Sequence, residues 1–330
     1  MFLFPVAIYG QLDYDTAYIK SYRDKLVVTV LTSADDSELN ASRSSDNRSL
    51  DFQTSTRQQV GLGLDYKWFT LEATIGIGSK TDPLRGNSET WGFGFGLTSR
   101  KWWFRNFFRG YHGYYLGNPQ DWDTAWAVGN PYPQISGLRT RTYYAEWNYT
   151  FNYKKYSNMA SLWQLEKQLK SAGTWNIGIT FAGSTIDNTD GPLIPNEYQG
   201  YLGPLDSINA LSVLSLGLNF GYLYNWRITK NWFLSVGLVP GLAFQAGITE
   251  DLEGGQSNYR NRLSGTVHTR LIGGYNGDKW YGGLRVYSHG FSTDTTGEYP
   301  IDLSYVNVRF YLGYRFELNH NIEFFKKIGL

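Results

Sequence analysis

The sequence predicts an all-β fold, a transmembrane antiparallel β-barrel of twelve strands. Three observations predict it. Large apolar residues recur at every second position in segment after segment, the period of a strand and not of a helix. The positions between them hold glycine, serine, threonine, asparagine or a lone charge, so one face suits hydrocarbon and the other a crowded polar interior. The connections also alternate between short and long, as periplasmic turns and outer loops do in such barrels.

The first strand covers residues 25–33 (KLVVTVLTS), followed by a polar link over 34–56. In 59–66 (QVGLGLDY), Leu62, Leu64 and Tyr66 share one face and Gly61, Gly63 and Asp65 the other. A Lys67-Trp68 turn leads into 69–78, where Phe69, Leu71, Ala73, Ile75 and Ile77 oppose Glu72 and Thr74. The fourth strand begins WGFGFGL: Trp91, Phe93, Phe95 and Leu97 look outward, and Gly92, Gly94 and Gly96 toward a packed interior. A break at Ser99-Arg100 precedes the aromatic strand 101–117, and a proline-containing link reaches residue 137. In 138–149, Tyr143, Ala145, Trp147 and Tyr149 face out, and Thr142, Tyr144, Glu146 and Asn148 face in. Strands over 175–181, 214–224, 232–244, 263–273, 280–288 and 304–316 repeat the pattern.

Residues 157–170 (SNMASLWQLEKQLK) break the series. Counted as a strand, they would make thirteen and place the long links 185–209 and 249–262 on the side of the tight turns. Leu162, Leu165 and Leu169 recur at helical spacing among good helix formers. The segment is therefore expected to be a short helix or insertion at the periplasmic mouth or inside the lumen. Its removal leaves twelve strands with every long link on one side.

Composition agrees. Aromatic residues make up 17% of the 330 residues and charged residues 18%, a low share for a soluble surface. A mean hydropathy of −0.39 excludes a polytopic helical membrane protein but not a barrel, whose apolarity is hidden by alternation. A net charge of +1 gives no reason to expect a nucleic-acid partner. There is no cysteine, hence no disulfide and no thiolate chemistry. The apolar start MFLFPVAIYGQ reads as the rear of a signal peptide. The expected organisation is a signal remnant and periplasmic approach over 1–23, a barrel over 24–316 and a periplasmic tail over 317–330.

The block SNMASLWQLEKQLKSAGTW, taken with YIKSY at 18–22 and YKW at 66–68, resembles a family of uncharacterised outer-membrane proteins common in Bacteroidota. Its members share an order of blocks: a tyrosine-containing approach, a lysine-tryptophan turn, a GRKW-like aromatic strand and a Q-x-K-S-A-G-S-like segment. Here the last two appear as Arg100-Lys101-Trp102 and as Gln168-Leu169-Lys170-Ser171-Ala172-Gly173-Thr174, preceded by Glu166. Ser99 and Thr174 depart mildly from that pattern. The resemblance implies a Gram-negative outer-membrane barrel and names no reaction.

Alternation places Glu72, Arg105, Arg109, Glu146, His268, Arg270, Arg285, His289 and Arg309 in or near the lumen. Buried charges need partners or water, so these are expected to form a network that fills a narrow barrel. Trp102, Trp103, Trp147, Trp175, Trp226, Trp232 and Trp280 lie near strand ends and suit a membrane-interface girdle. The loop aromatics Trp122, Trp126 and Tyr132 suit an ordered lid or carbohydrate stacking. The four histidines have no metal-ligand spacing, GLGLDYKW and GFGFGL lack the strand-turn-helix context of a nucleotide site, and no cofactor is expected. The leading reading is a plugged scaffold or assembly component surrounded by outer-membrane lipid and lipopolysaccharide, with room for a protein partner in an outer-membrane complex. A selective small-solute porin is one alternative. A lipid-modifying enzyme using His268 with Ser264 or Ser288 is the other, although four residues of extended chain separate Ser264 from His268.

Overall fold

A computed structural model describes residues 13–318 apart from 43–48, 56–57, 78–81, 202, 204–205, 252, 259–261 and 295–299. The signal-like start through residue 12 and the tail from 319 lie outside the described residues.

Twelve antiparallel strands form one closed barrel. They are β1 (Leu26–Ser42), β2 (Gln58–Tyr66), β3 (Phe69–Ile77), β4 (Glu89–Thr98), β5 (Trp102–Leu116), β6 (Gln134–Thr150), β7 (Ala172–Asn188), β8 (Ile208–Arg227), β9 (Trp232–Asp251), β10 (Arg262–Asn276), β11 (Trp280–Asp294) and β12 (Pro300–Phe316). Each pairs with its neighbour in sequence. The last pairs with the first, from Ile301 opposite Ala41 to Phe316 opposite Leu26. Closure leaves no unpaired edge, which is what allows a sheet to cross hydrocarbon.

Alternation along each strand sorts the side chains. Leu62, Ile75, Trp91, Ile179, Leu218, Leu242, Val267 and Phe310 are exposed on the outer face, whereas Thr70, Asn148, Thr180, Ser215, Asn219, Ser235 and Arg309 are buried inside. An apolar exterior around a polar interior inverts the soluble arrangement and marks a membrane-spanning barrel.

Several strands run further than the alternation suggests. β1 extends through the polar ADDSELNAS stretch, and a short strand, Ser49–Gln53, folds back along it and also pairs with β5 through Phe52 opposite Leu116. The apolar-polar rhythm fades there because a wall that projects beyond the bilayer is not required to alternate. Tight connections at the other end comprise Lys67-Trp68, 99–101, 228–231 and 277–279, with Lys67 in the left-handed region at φ 52°.

Residues 151–171 also join strands at the tight-turn end, but they turn into the lumen. Helix α1 spans only Asn158–Ser161, capped by Ser157, whose Oγ accepts the Ala160 amide at 3.0 Å. The expected helix stops early because Gln164 adopts φ 53°, and Glu166–Gln168 then forms a two-stranded ribbon with Ile19–Ser21. Leu162 packs with Phe233, Ile272 and Tyr287, and Met159 and Leu165 pack with Val27, Leu31, Tyr281 and Tyr311. The leucine spacing that reads as one helical stripe instead serves two wall contacts on either side of a turn.

At the opposite end the projecting strands and loops enclose an apolar cap. Leu39, Leu50, Phe52, Tyr114, Leu116, Leu138, Leu193, Ile194 and Leu211 are buried together, with Trp122 and Tyr198 packed against them. Trp122 Nε1 donates to the Ser49 carbonyl at 3.0 Å, and the Trp126 ring packs at a tilt against Tyr132 with centroids 5.0 Å apart. These loop aromatics thus belong to an ordered lid.

Candidate functional site

The lumen between cap and plug gathers most of the charges that alternation places there. Arg105 on β5 bridges Glu146 on β6 at 2.6 Å, directly across the register. Arg309 on β12 reaches Glu72 on β3 at 2.6 Å, spanning the interior. Arg285 donates to Gln164 Oε1 of the plug at 2.8 Å and lies 4.3 Å over the Tyr311 ring. Arg270 donates to the Tyr156 hydroxyl and, at 2.9 Å, to Asn158 Oδ1. Cavities bounded by described residues lie among these charges. One of about 100 Å³ is lined by Asp65, Glu72, Arg105, Arg109, Arg285 and Arg309, with Leu162 and Trp163 of the plug. A smaller one of about 40 Å³ is lined by Glu146, His268 and Arg270. His289 continues the inward register of β11, opposite Tyr305, but its side chain lies outside the described residues.

The plug is pinned by polar contacts. Glu166 is fully buried; it meets Arg100 at 2.7 Å and accepts the Ser157 hydroxyl at 2.6 Å. Burial pushes its carboxyl upward, while Arg100, Ser157 and Arg23 pull it back down. Gln168 Nε2 donates to the Lys155 and Lys170 carbonyls at 2.6 and 2.9 Å, and its Oε1 accepts the Ser157 amide at 3.0 Å. Asn225 and Asn276 on the wall donate to Ser157 O and Glu166 O. Lys167 donates to Asn231 at 2.6 Å. Ser171 Oγ accepts the Arg227 amide at 3.0 Å, Ala172 opens β7, and Lys170 lies 5.2 Å over Tyr18. A Cβ on Gly173 would meet the outer end of the Tyr222 ring, which must shift to admit any larger residue there.

The blocks that carry the family resemblance therefore converge. YIKSY supplies the ribbon strand. Arg23 just after it donates to Lys67 O and Thr98 O at 2.9 Å, tying together the YKW turn and the end of β4. Asp278 is held well below the usual carboxylate range by Lys20 and the Tyr22 hydroxyl, which bind its ionised form.

Sequence reasoning missed Arg315. It is buried on β12 and donates to the Gln164 carbonyl at 3.0 Å, to Asn276 Oδ1 at 2.6 Å and to Gly277 O. It shares the inward parity of Arg309, the signal that could have found it. Asp65, which alternation places on the inner face without joining it to the charge network, also lines the larger cavity.

The aromatic candidates divide. Trp102, Trp147, Trp175, Trp226, Trp232 and Trp280 are exposed on the outer wall. Trp103 departs from this set. It is only 5% exposed, points inward and packs against Trp163 of the plug at 6.1 Å. Neighbours on a strand face opposite ways, so Trp102 and Trp103 cannot share the girdle. The candidate nucleophiles also separate: Ser264 and His268 share the inner register of β10, whereas Ser288 takes the outer register of β11. Among the described residues no group of three or more His, Asp or Glu side chains could hold a metal.

A closed strand ladder, an apolar outside, a charged inside and a buried plug define this as a membrane-spanning β-barrel of outer-membrane type. The chain belongs to the family described as Domain of unknown function (DUF4421), whose model matches residues 13–316. No curated protein matches it. Among solved structures it is similar to the outer membrane protease OmpT from Escherichia coli, with 8% identity over 90% of this chain and 98% of that one, at a TM-score of 0.38. It is similar also to the toluene transporter TodX of P. putida, with 11% identity over 90% and 91% at a TM-score of 0.27. A third is OmpT of Vibrio cholerae, with 9% identity over 89% and 97% at 0.32. Scores this low transfer no function, and the fold rests on the strand register above.

Proposed function

We propose that this protein is a plugged outer-membrane barrel, a scaffold closed at rest and built to hold its own chain in the lumen. The observation that carries this reading is the burial of Tyr156, Met159, Leu162, Leu165 and Glu166 against the inner wall. The apolar cap supports it from the other end. A Bacteroidota-type host and contacts with lipopolysaccharide or an outer-membrane protein partner belong to the same proposal. The role proposed is non-enzymatic, since Ser264 and His268 lie four residues apart on one strand and Ser288 faces the other way.

A selective conduit for small polar solutes is the second reading, favoured by the two charged cavities that flank the plug. Planar-bilayer recording separates the two. The purified monomer should pass almost no current, and excision of 157–170 should open it. Large, stable currents from the intact chain would replace the scaffold with the channel.

A further inference from the structure

At the tight-turn end, every short connection carries a cation beside a tryptophan. Lys67 precedes Trp68, Lys101 precedes Trp102, and Lys279 precedes Trp280. Arg227 follows Trp226, and Lys230 lies two residues before Trp232, flanking one turn on both sides. All five tryptophans are exposed on the outer wall. The turns join β2 to β3, β4 to β5, β8 to β9 and β10 to β11, so the pairs are spread around the barrel and do not form a one-sided patch. Lys154, Lys155 and Lys170, exposed on the remaining connection, add to the same rim.

Lys67 lies over the Tyr66 ring and Lys101 over Tyr149 and Tyr153, contacts that leave their charge unneutralised. Lys20 and Lys25 pair with Asp278 and Glu317, but among the described residues no carboxylate lies within ion-pair distance of Lys67, Lys101, Lys230 or Lys279. Arg227 spends its guanidinium on the Leu169 and Thr229 carbonyls, which are neutral. A tryptophan at a strand end settles at the boundary between hydrocarbon and headgroups. A lysine or arginine one or two residues beyond it extends its charge toward the aqueous side, at the depth of lipid phosphates. Anionic headgroups attract each such cation by roughly a five-fold bias in occupancy.

We infer that this ring is a binding surface for anionic phospholipid headgroups of the inner leaflet, with a lipid phosphate that no headgroup cation neutralises as the recognised group. Its even distribution argues for lipid, because a docked acidic protein would need its cations on one side. The inference rests on the membrane-spanning reading with the tight turns periplasmic, and the test keeps the two apart.

The full chain is folded into phosphatidylcholine vesicles and into vesicles with about one-third phosphatidylglycerol, then extracted for native mass spectrometry of the lipids it retains. Retention of phosphatidylglycerol over phosphatidylcholine should be about tenfold at low salt and should vanish near 1 M salt, where the screening length is about 3 Å. The combined variant K67Q/K101Q/R227Q/K230Q/K279Q, which leaves only Lys154, Lys155 and Lys170 on the rim, should still fold in phosphatidylcholine and lose most of the preference. Equal retention of the two lipids by the native chain, a preference indifferent to salt, or an undiminished preference in the variant would each overturn the inference. So would salt-sensitive capture of an acidic protein by the ring in the absence of any lipid preference. If the variant fails to fold, the salt dependence of the native chain decides. Failure of the native chain to insert into either vesicle would overturn the membrane reading itself, and the ring with it.

Discussion

The glycine face of β4 shows what a single residue contributes. Gly92, Gly94 and Gly96 lie opposite Thr74, Glu72 and Thr70, all on the inner face. A Cβ on Gly94 would stand 2.8 Å from the Asn106 carbonyl and 3.4 Å from Phe107 Cβ. Gly94→Leu should therefore crowd the wall and cost about 1–3 kcal/mol. Phe95→Leu, on the outer face, should be mild, whereas Phe95→Arg should cost about 2–4 kcal/mol if the site lies near the bilayer midplane. Reversible refolding into vesicles measures all three, and tolerance of both Gly94→Leu and Phe95→Arg would mean the faces are reversed. Asn106 is the exception on that wall. Register with Phe95 and Ala145 puts it on the outer face, yet it is buried and its amide N and O make no hydrogen bond among the described residues. An unpaired amide beside hydrocarbon is costly, so Asn106→Leu should raise stability by about 1–3 kcal/mol in the same refolding measurement.

At the scale of elements, the plug is held less by its own helix than by the wall. Four residues of helix are too few to be stable alone, and the segment depends on Arg100, Arg270, Arg285 and Arg315 reaching its backbone and side chains. Removing one partner of a buried pair leaves the other charge uncompensated. Arg100→Ala should thus loosen the plug by about 3–5 kcal/mol, and Arg100→Ala/Glu166→Gln together by less. Hydrogen exchange over 156–168, or the onset of channel flicker in bilayers, reads the difference. Equal effects of the single and double variants would show that the pair contributes little to plug retention.

For the molecule as a whole, strand parity becomes orientation. Twelve strands bring the start of β1 and the end of β12 to the tight-turn end, with the long links at the other. Cysteines placed in 185–209 should accept an impermeant label on intact cells, and cysteines placed in 227–231 should not. The reverse result would invert the barrel in the membrane.

Alternation by itself determined the barrel and the facing of its walls. A strand in hydrocarbon must put apolar groups on one side, and that constraint is written into each segment separately. The parity of the links then singled out 157–170 as the piece that does not span. The tertiary structure alone decided how far the strands project past the bilayer, since the polar stretch of β1 has no reason to alternate outside hydrocarbon. It alone decided the fate of the plug, because Gln164 reverses the chain and its wall contacts come from strands more than a hundred residues away. Trp103 shows the same division on a small scale. Composition groups it with Trp102, while the pleat sends the two rings to opposite sides of the wall, one to the outer surface and one to Trp163.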